Sequence, residues 1–566
     1  MKVTISAGVA TILAGASVFA GSAAFAQDDV LVPPADSAGF GTTSASCDVT
    51  GDGVQDLVTG TYWFSDQKAA VYPGPVTGET EPLIFTVADH MGMGLLVSCS
   101  PDMNGDGIDD VILVSQGGGV VVLFGGPNLE GGDLSSPGEK GVSLAGYQAL
   151  KATSVGDLTG DGKAQLAVMS GKDVFIFDAL PQSGELDLAS ATRITAGDGV
   201  SLLSAASAGD INGDGKADLV VGSASASLAG EHAGSAWVLT SVPLEPGGTI
   251  DLTQEYDGFR IDGFEEGHSL LGTNLLPAGD LNADGFDDLL IGAPSHDDEL
   301  PGAIAVVLGA ATNSHITTRS AAGNEPSVID AEGQPRGWII RGATPGDHLG
   351  EGVPAVAYGA AAPQLLLGAM DGVVEGAPEM AGYLAAVDVR LLTEHGSAAL
   401  DGNLFDLAKA HPEYVKIFGG TEEMARYGRS VAALAASGDK VRVAVGAPAN
   451  FSQGTAPKVY LLDIPVKEAD PETPAPPVTP PVPAEPSEPT EPDADSAKPE
   501  APSDAAAEQT KPKAPVGNHK QAETKADPVQ GHKLAETGSE AAGIAVLAGA
   551  AALLGASAML ARRRSA

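Results

Sequence analysis

Between residues 29 and 464 the apolar positions fall in short runs bounded by stretches rich in Gly, Asp and Ser, the pattern of strands and turns. The runs recur as a set and divide this region into seven units. Each unit opens on a small-residue start: Phe40-Gly41, Met93-Gly94, Tyr147, Val200-Ser201, Leu271-Gly272, Leu349-Gly350 and Tyr427-Gly428. A second run follows at 56–60, 110–114, 165–169, 218–222, 288–292, 364–368 and 441–446. Most of these runs are apolar on both faces and read as strands buried between neighbouring sheets. A third run lies at 69–72, 120–124, 174–177, 236–239, 304–308, 383–387 and 459–462, and a more polar fourth at 259–263, 338–342 and 414–419. Four strands per unit, seven times over, predict an all-β, seven-bladed propeller. Longer inserts, 310–336 and 390–411, interrupt the late units, and 401–410 reads as a short helix within the second.

Between the first and second runs stands an acidic loop. In Asp280-Leu-Asn282-Ala-Asp284-Gly285-Phe-Asp-Asp288, side-chain oxygens fall at positions 1, 3, 5 and 9, and Gly285 at position 6 allows the turn that wraps them around a hard cation. An EF-hand needs a Glu at position 12 and a helix after it; here position 12 is Ile291, in a strand-like run. The spacing returns at Asp48, Thr50, Asp52, Asp56; at Asp102, Asn104, Asp106, Asp110; and at Asp210, Asn212, Asp214, Asp218. A weaker copy, Asp157, Thr159 and Asp161, ends in Gln165, so its site is expected to be weak or empty. About four or five calcium sites are expected, acting as structural staples that neutralise clustered carboxylates.

These marks resemble the FG-GAP repeats of the integrin α-subunit propeller and its bacterial relatives: the Phe-Gly start, the Asp-x-Asn-x-Asp-Gly-x-x-Asp loop, and Gly-Ala-Pro at 292–294 and 446–448. The resemblance covers roughly residues 30–464 and is specific in units 1, 2, 4 and 5. It implies that the position-7 carbonyls of Val54, Ile108, Lys216 and Phe286 join the ligand sets, and that units 6 and 7, whose loops have lost the acidic ladder, bind no metal. It also implies that residues 30–33 complete the last blade beside 458–464, which removes free sheet edges. Cys47 and Cys99, the two cysteines of the chain, sit just upstream of adjacent loops. In an exported chain this placement predicts a disulfide between blades 1 and 2; two buried free thiols are the other reading.

The ends change the picture from a fold to a location. Lys2, a largely apolar run over 9–19 and Ala24-Phe25-Ala26 before Gln27 have the layout of a secretory signal cleaved after Ala26. Residues 27–464 then form the propeller. Residues 465–533 are rich in Pro, Glu, Ala, Ser, Thr and Lys and read as a disordered stalk, reaching on the order of 200 Å if extended like polyproline. Residues 534–566 hold Leu534-Ala-Glu-Thr537-Gly538, an apolar helix at 541–561 and Arg562-Arg563-Arg564, which holds the C-terminus on the cytoplasmic side. This order resembles the LPXTG-type cell-wall sorting signal of Gram-positive surface proteins, in which a sortase cuts between Thr and Gly and joins the Thr to peptidoglycan. Ala535 in place of Pro looks like the L-A-x-T-G variant of actinobacteria. The resemblance implies cleavage between Thr537 and Gly538, peptidoglycan attached through Thr537, and a membrane contact only before processing. A plain C-terminal transmembrane anchor is the alternative.

With 74 acidic against 30 basic residues, a net charge of -44, the chain lacks the clustered cations that nucleic-acid binding needs. It contains no H-E-x-x-H, G-x-S-x-G, P-loop or Arg-Gly-Asp sequence. His296-Asp297-Asp298-Glu299, the one dense polar cluster outside the loops, reads as a solvated hairpin tip. The leading expectation is a non-enzymatic, cell-surface binding or adhesion module with an extracellular ligand such as a host matrix protein or glycan. The competing readings are an extracellular hydrolase or lyase acting on glycan or phosphoester, and a structural wall protein. The late units, which keep their strands without the metal loop, are where a ligand surface is first expected, in their longer inserts.

Overall fold

A run with apolar side chains on both faces is stable only where both faces are covered, and the second run of each unit becomes the strand that meets this condition. Asp110–Ser115, Asp218–Ser223, Asp288–Ala293 and Gln364–Ala369 are buried at every position. The computed structural model describes residues 24–25 and 29–466, apart from 32, 35–36, 38, 62–67, 88–94, 116–117, 145–148, 265–267, 296, 298, 319–327, 359–361, 375, 394–403, 408–413, 438 and 450–455. The starts at Met93-Gly94 and Tyr147, His296 and Asp298, most of the signal segment, the stalk from 467, Leu534, Thr537, Gly538 and the 541–561 segment lie outside the described residues. Every described residue belongs to one compact unit within Met1–Glu485. Among the described residues no helix is long and apolar enough to cross a membrane.

The described strands form seven sheets. Within each, successive strands pair antiparallel from the axis outward, as the expected propeller requires. In blade 5, Leu275–Gly279, Asp288–Ala293, Ala303–Val307 and Gly337–Arg341 follow one another, with Leu289 opposite both Pro277 and Val307. The core is divided into seven apolar clusters, one at each blade boundary. At the closing boundary Leu31, Phe40, Leu57 and Tyr72 of the first blade and N-terminus pack on Ala432, Ala444, Val459 and Leu461 of the last. Val30–Leu31 pairs antiparallel with Lys458–Pro465, Val30 opposite Tyr460, so the N-terminal segment supplies the fourth strand of blade 7. The innermost strands of all seven blades line an axial cavity of about 890 Å³. Lys151 stands in it, and burial, with a smaller push from Arg429, brings its ammonium down to about 8.

The recurring glycines have a steric cause. A Cβ on Gly368, in the second strand of blade 6, would lie 1.9 Å from the carbonyl oxygen of Gly428, which opens blade 7 at φ 89°. The same approach, 2.0 Å, joins Gly446 to Gly41 and closes the ring. From blade 4 round to blade 1, neighbouring blades thus touch backbone to backbone, at a spacing that admits no side chain.

A fifth strand absent from the expected four-strand unit links neighbouring blades. The segment between the third and fourth strands of one blade runs back and pairs in parallel with the outermost strand of the blade before it. Gly132–Asp133 adds to Leu83–Thr86, Gly184–Glu185 to Gly141–Leu144, and Thr249–Asp251 to Thr192–Thr195. Ile316–Thr318 adds to Gly258–Asp262 and Leu404–Asp406 to Gly337–Arg341. The described parts of both inserts are therefore latches. Ile316–Thr318 and Val328–Asp330 form a hairpin on blade 4. The helix expected over 401–410 is replaced at 404–406 by a strand, because blade 5 offers an open sheet edge there. Among the described residues of this insert a helix lies earlier, at Arg390–Thr393. On blade 6 the latch position is taken by Ala24–Phe25, paired with Val415–Gly419.

Candidate functional site

Antiparallel alternation sorts the turns onto two faces. Turns from first to second and from third to fourth strand lie on one, here the lower face; turns from second to third strand and between blades lie on the upper. The acidic loops are lower-face turns, and so are both inserts. The described residues of both inserts, where a ligand surface is first expected, build sheet edges on the face of the acidic loops.

Each loop is organised by its own carboxylates. Asp102 at position 1 accepts from the N–H groups of Gly105, Asp106 and Gly107 at 2.5, 3.2 and 2.6 Å. Asn104 donates to Asp106 at 2.9 Å, and Asp106 accepts from Ile108 N–H at 2.9 Å. Asp210, Asn212 and Asp214, and Asp280, Asn282 and Asp284, repeat the arrangement. In blade 1 Asp48 accepts from Asp52 and Gly53 N–H at 3.0 and 2.7 Å, and Thr50 reaches Asp56 instead of Asp52. The position-1 carboxylates are half-buried and the position-5 carboxylates exposed, whereas the position-9 carboxylates are buried: Asp56, Asp110 and Asp288 at 0% and Asp218 at 2% exposure. Asp288 accepts from Leu281 N–H at 2.8 Å and Gly309 N–H at 3.0 Å, holding the loop to the end of the third strand. Burial pushes the Asp110, Asp218 and Asp288 carboxyls up to about 7, and the position-1 and position-5 carboxylates add to the rise. Asp56 is raised by burial as well.

Blade 3 carries the same loop with a neutral side chain at position 9. Gln165 Oε1 accepts from Leu158 N–H at 2.6 Å, as the position-9 carboxylates do, and its amide donates to the Lys163 carbonyl at 3.0 Å. That carbonyl is the position-7 oxygen, the group that the family resemblance assigns as a metal ligand in the other loops, and here a neutral amide satisfies it. Asp157 and Asp161 keep their places, with Asp157 accepting from Gly160, Asp161 and Gly162 N–H.

Among the described residues no three His, Cys, Asp or Glu side chains converge as a metal cluster. The ladder carboxylates are turned onto the loop's own N–H groups, which leaves each oxygen a further lone pair. In blades 1, 2, 4 and 5 an oxygen-only donor set with a buried, charge-repelled carboxylate at position 9 fits a hard divalent cation.

Asp109 and Asp287, at position 8, were not singled out by the spacing, yet they lace the loops together. Asp109 Oδ2 accepts from Asp48 N–H at 3.0 Å and Asp287 Oδ2 from Asp210 N–H at 2.8 Å, each reaching the preceding blade. The doubled carboxylates Asp109-Asp110 and Asp287-Asp288 were the available signal. Cys47 and Cys99 are joined by a disulfide between the first strands of blades 1 and 2. Reducing it is expected to cost about 2–4 kcal/mol, seen as a lower denaturant midpoint with dithiothreitol.

The upper face differs in kind. Ten described non-glycine residues have positive φ, and nine of them, His232, His268, Leu270, Ser295, His348, Met380, Met424, Arg426 and Ala449, lie in upper-face turns of blades 4 to 7. Backbone hydrogen bonds hold them: His268 N–H donates to Glu231 O at 2.7 Å, Ser295 to Ser269 O at 3.2 Å, and Met424 to Glu379 O at 3.0 Å. His348 Nδ1 stands 3.0 Å from Asp371 Oδ2, and Arg426 approaches the same carboxylate at 3.5 Å. Leu228 and Leu300, in the same set of turns, are exposed at 48% and 52%.

Residues 40–77, 203–239 and 272–307 match the FG-GAP repeat family, and residues 102–168 match a second family described as an FG-GAP-like repeat. The chain therefore carries FG-GAP repeats on a seven-bladed β-propeller. No curated protein matches. Among solved structures, a chain in the humanized mutant of the Chaetomium thermophilum Polycomb Repressive Complex 2 bound to the inhibitor GSK126 is similar at 10% identity and TM-score 0.42, covering 80% of this chain and 100% of that one. BBS1N in complex with ARL6DN, soaked with lead, is similar at 11% identity and TM-score 0.39, covering 79% and 100%. The mercury-soaked form of that complex gives 11% and 0.38, covering 79% and 99%.

Proposed function

We propose that the protein is a calcium-stapled binding module, exported and held at the surface of a Gram-positive cell, whose upper face at blades 4 to 7 holds an extracellular ligand. The observation that carries this reading is the gathering of strained backbone there. A non-glycine residue at positive φ costs of order 1–3 kcal/mol and persists where the surroundings over-determine it, characteristically at ligand-binding turns. Nine such residues share one face with the exposed Leu228 and Leu300, while Ala283 alone lies in an acidic loop. Rigid turns bearing exposed apolar side chains suit a ligand that binds without a large rearrangement.

Calcium at the ladders Asp48, Thr50, Asp52, Asp56; Asp102, Asn104, Asp106, Asp110; Asp210, Asn212, Asp214, Asp218; and Asp280, Asn282, Asp284, Asp288 supplies stiffness from the opposite face. Removal of the signal after Ala26, and a sortase acting between Thr537 and Gly538 with the stalk between, would display this upper face beyond the cell wall. Residues 27–466, applied to glycan and host-matrix arrays, are expected to retain a ligand without turnover. The pair Leu228→Asp and Leu300→Asp is expected to lose at least tenfold in retention with an unchanged melting temperature. Product release, or retention indifferent to both substitutions, overturns the reading.

A further inference from the structure

Four of the five latches drawn from within the blades repeat in sequence as well as in space, Ile316–Thr318 being the exception. Asp133-Leu134, Glu185-Leu186, Asp251-Leu252 and Asp406-Leu407 each put an acidic residue and then a leucine at the end of the added strand. The leucine N–H continues the pairing: Leu134 donates to Thr86 O at 2.7 Å, Leu186 to Ser143 O at 2.7 Å and Leu252 to Thr195 O at 2.8 Å. Leu134, Leu252 and Leu407 are 1%, 6% and 0% exposed and enter the apolar cluster between the two blades they join. The acidic residue folds the chain after the strand: Asp133 accepts from Ser135 N–H at 2.9 Å and Asp251 from Thr253 N–H at 3.0 Å. A latch is thus an extended segment with an apolar plug and an Asx turn behind it.

Blade 6 departs from this rule. Its outermost strand, Val415–Gly419, is covered by Ala24–Phe25, with Ala24 opposite Phe418 and Phe25 opposite Gly419. The position is the one the rule demands, because this segment precedes the fourth strand of blade 7 as every other latch precedes the fourth strand of its own blade. It lacks the acidic-Leu pair. It also lies upstream of Gln27, so on the reading that export removes residues 1–26, on which this inference rests, the mature chain loses this latch and no other. Blade 7 carries no added strand among the described residues; Gly78 lies beside Asp29 and Val30 there.

The geometry points to a docking edge uncovered by processing: the outer edge of Val415–Gly419 accepts, in parallel, an extended peptide of a partner protein bearing an acidic residue followed by leucine. The inner edge is already satisfied by Tyr383–Asp388, so only the outer row of N–H and C=O groups is freed, and such a row is a template for strand addition. The occupants of the equivalent edges in this chain define the chemistry of the guest.

Two chains through Ala566 test this, one beginning at Ser22 and one at Gln27, with a fluorescent peptide of the sequence of residues 247–254. The peptide is expected to bind the Gln27 chain at least tenfold more tightly than the Ser22 chain, and its Leu252→Asp version to lose that advantage. Amide exchange in Val415–Gly419 should be slow in the Ser22 chain, faster in the Gln27 chain and slow again with peptide. Equal binding to both chains, or none to either, overturns the docking edge. N-terminal sequencing of the exported protein tests processing separately: a start upstream of Ala24 sinks the uncovering step, while the Gln27 chain still decides whether the edge accepts a guest.

Discussion

Removing calcium is expected to lower the melting temperature of the propeller by on the order of 5–10 °C, and restoring it to return the original melt. Four extracellular-type sites with Kd near 10⁻⁴ to 10⁻³ M, in 10 mM calcium, each contribute about 1.4–2.7 kcal/mol by mass action. The pH dependence gives the sign an independent check. In the calcium-free chain the Asp110, Asp218 and Asp288 carboxyls are raised from 3.8 to about 7, so the folded state binds protons more tightly than the unfolded one. The associated stability is present in full below pH 3.8 and is lost as pH rises through about 7. Bound calcium requires the deprotonated form, so its contribution grows over the same window. Melts in EDTA should therefore fall between pH 5 and 7.5 while the gap between calcium and EDTA widens; parallel curves would contradict both statements.

Gly368→Ala is expected to destabilise the fold by about 3 kcal/mol or more, the upper range for overpacking, because the neighbour it meets is backbone. The added Cβ would stand 1.9 Å from Gly428 O, and relief would require moving blade 7 away from blade 6. Gly285→Ala is the contrast: its Cβ meets nothing within 4 Å, so only the cost of φ 91° and any change in calcium binding remain. A chevron or equilibrium melt of Gly368→Ala in calcium reads the effect, and a loss under 1 kcal/mol would show that the blades are not in backbone contact.

These two expectations rest on features that differ in how far they can be read from the chain. The central strands and the loops were legible because burial on both faces demands an unbroken apolar run, as in Asp288–Ala293, and because the ladder fixes oxygens at set positions. Ring closure by Val30–Leu31 is what the resemblance to the integrin propeller implies, and it removes a free sheet edge. The latches were not legible as strands. Gly132–Asp133 and Gly184–Glu185 are exposed, two residues long and without apolar alternation; their partners, not their composition, make them strands. For that reason the sequence of Leu404–Asp406 reads as part of a helix although it forms a strand. The strain at His232, His348 and Met424 was hidden too, since nothing in a histidine or methionine announces a positive φ that neighbouring turns impose. Asp109 and Asp287 were visible as doubled carboxylates, but their role needed the adjacent blade.

The central claim, that the acidic loops of blades 1, 2, 4 and 5 hold calcium and that of blade 3 does not, is tested most directly by counting bound calcium. Equilibrium dialysis of residues 27–466, read by mass spectrometry of the metal, should give about four calcium ions per chain, as the oxygen-donor ladders require. Asp284→Ala should remove about one, and Asp161→Ala none, because Gln165 already satisfies the Lys163 carbonyl. A chain that binds no calcium above background, or loses an ion with Asp161→Ala but not with Asp284→Ala, would contradict the account.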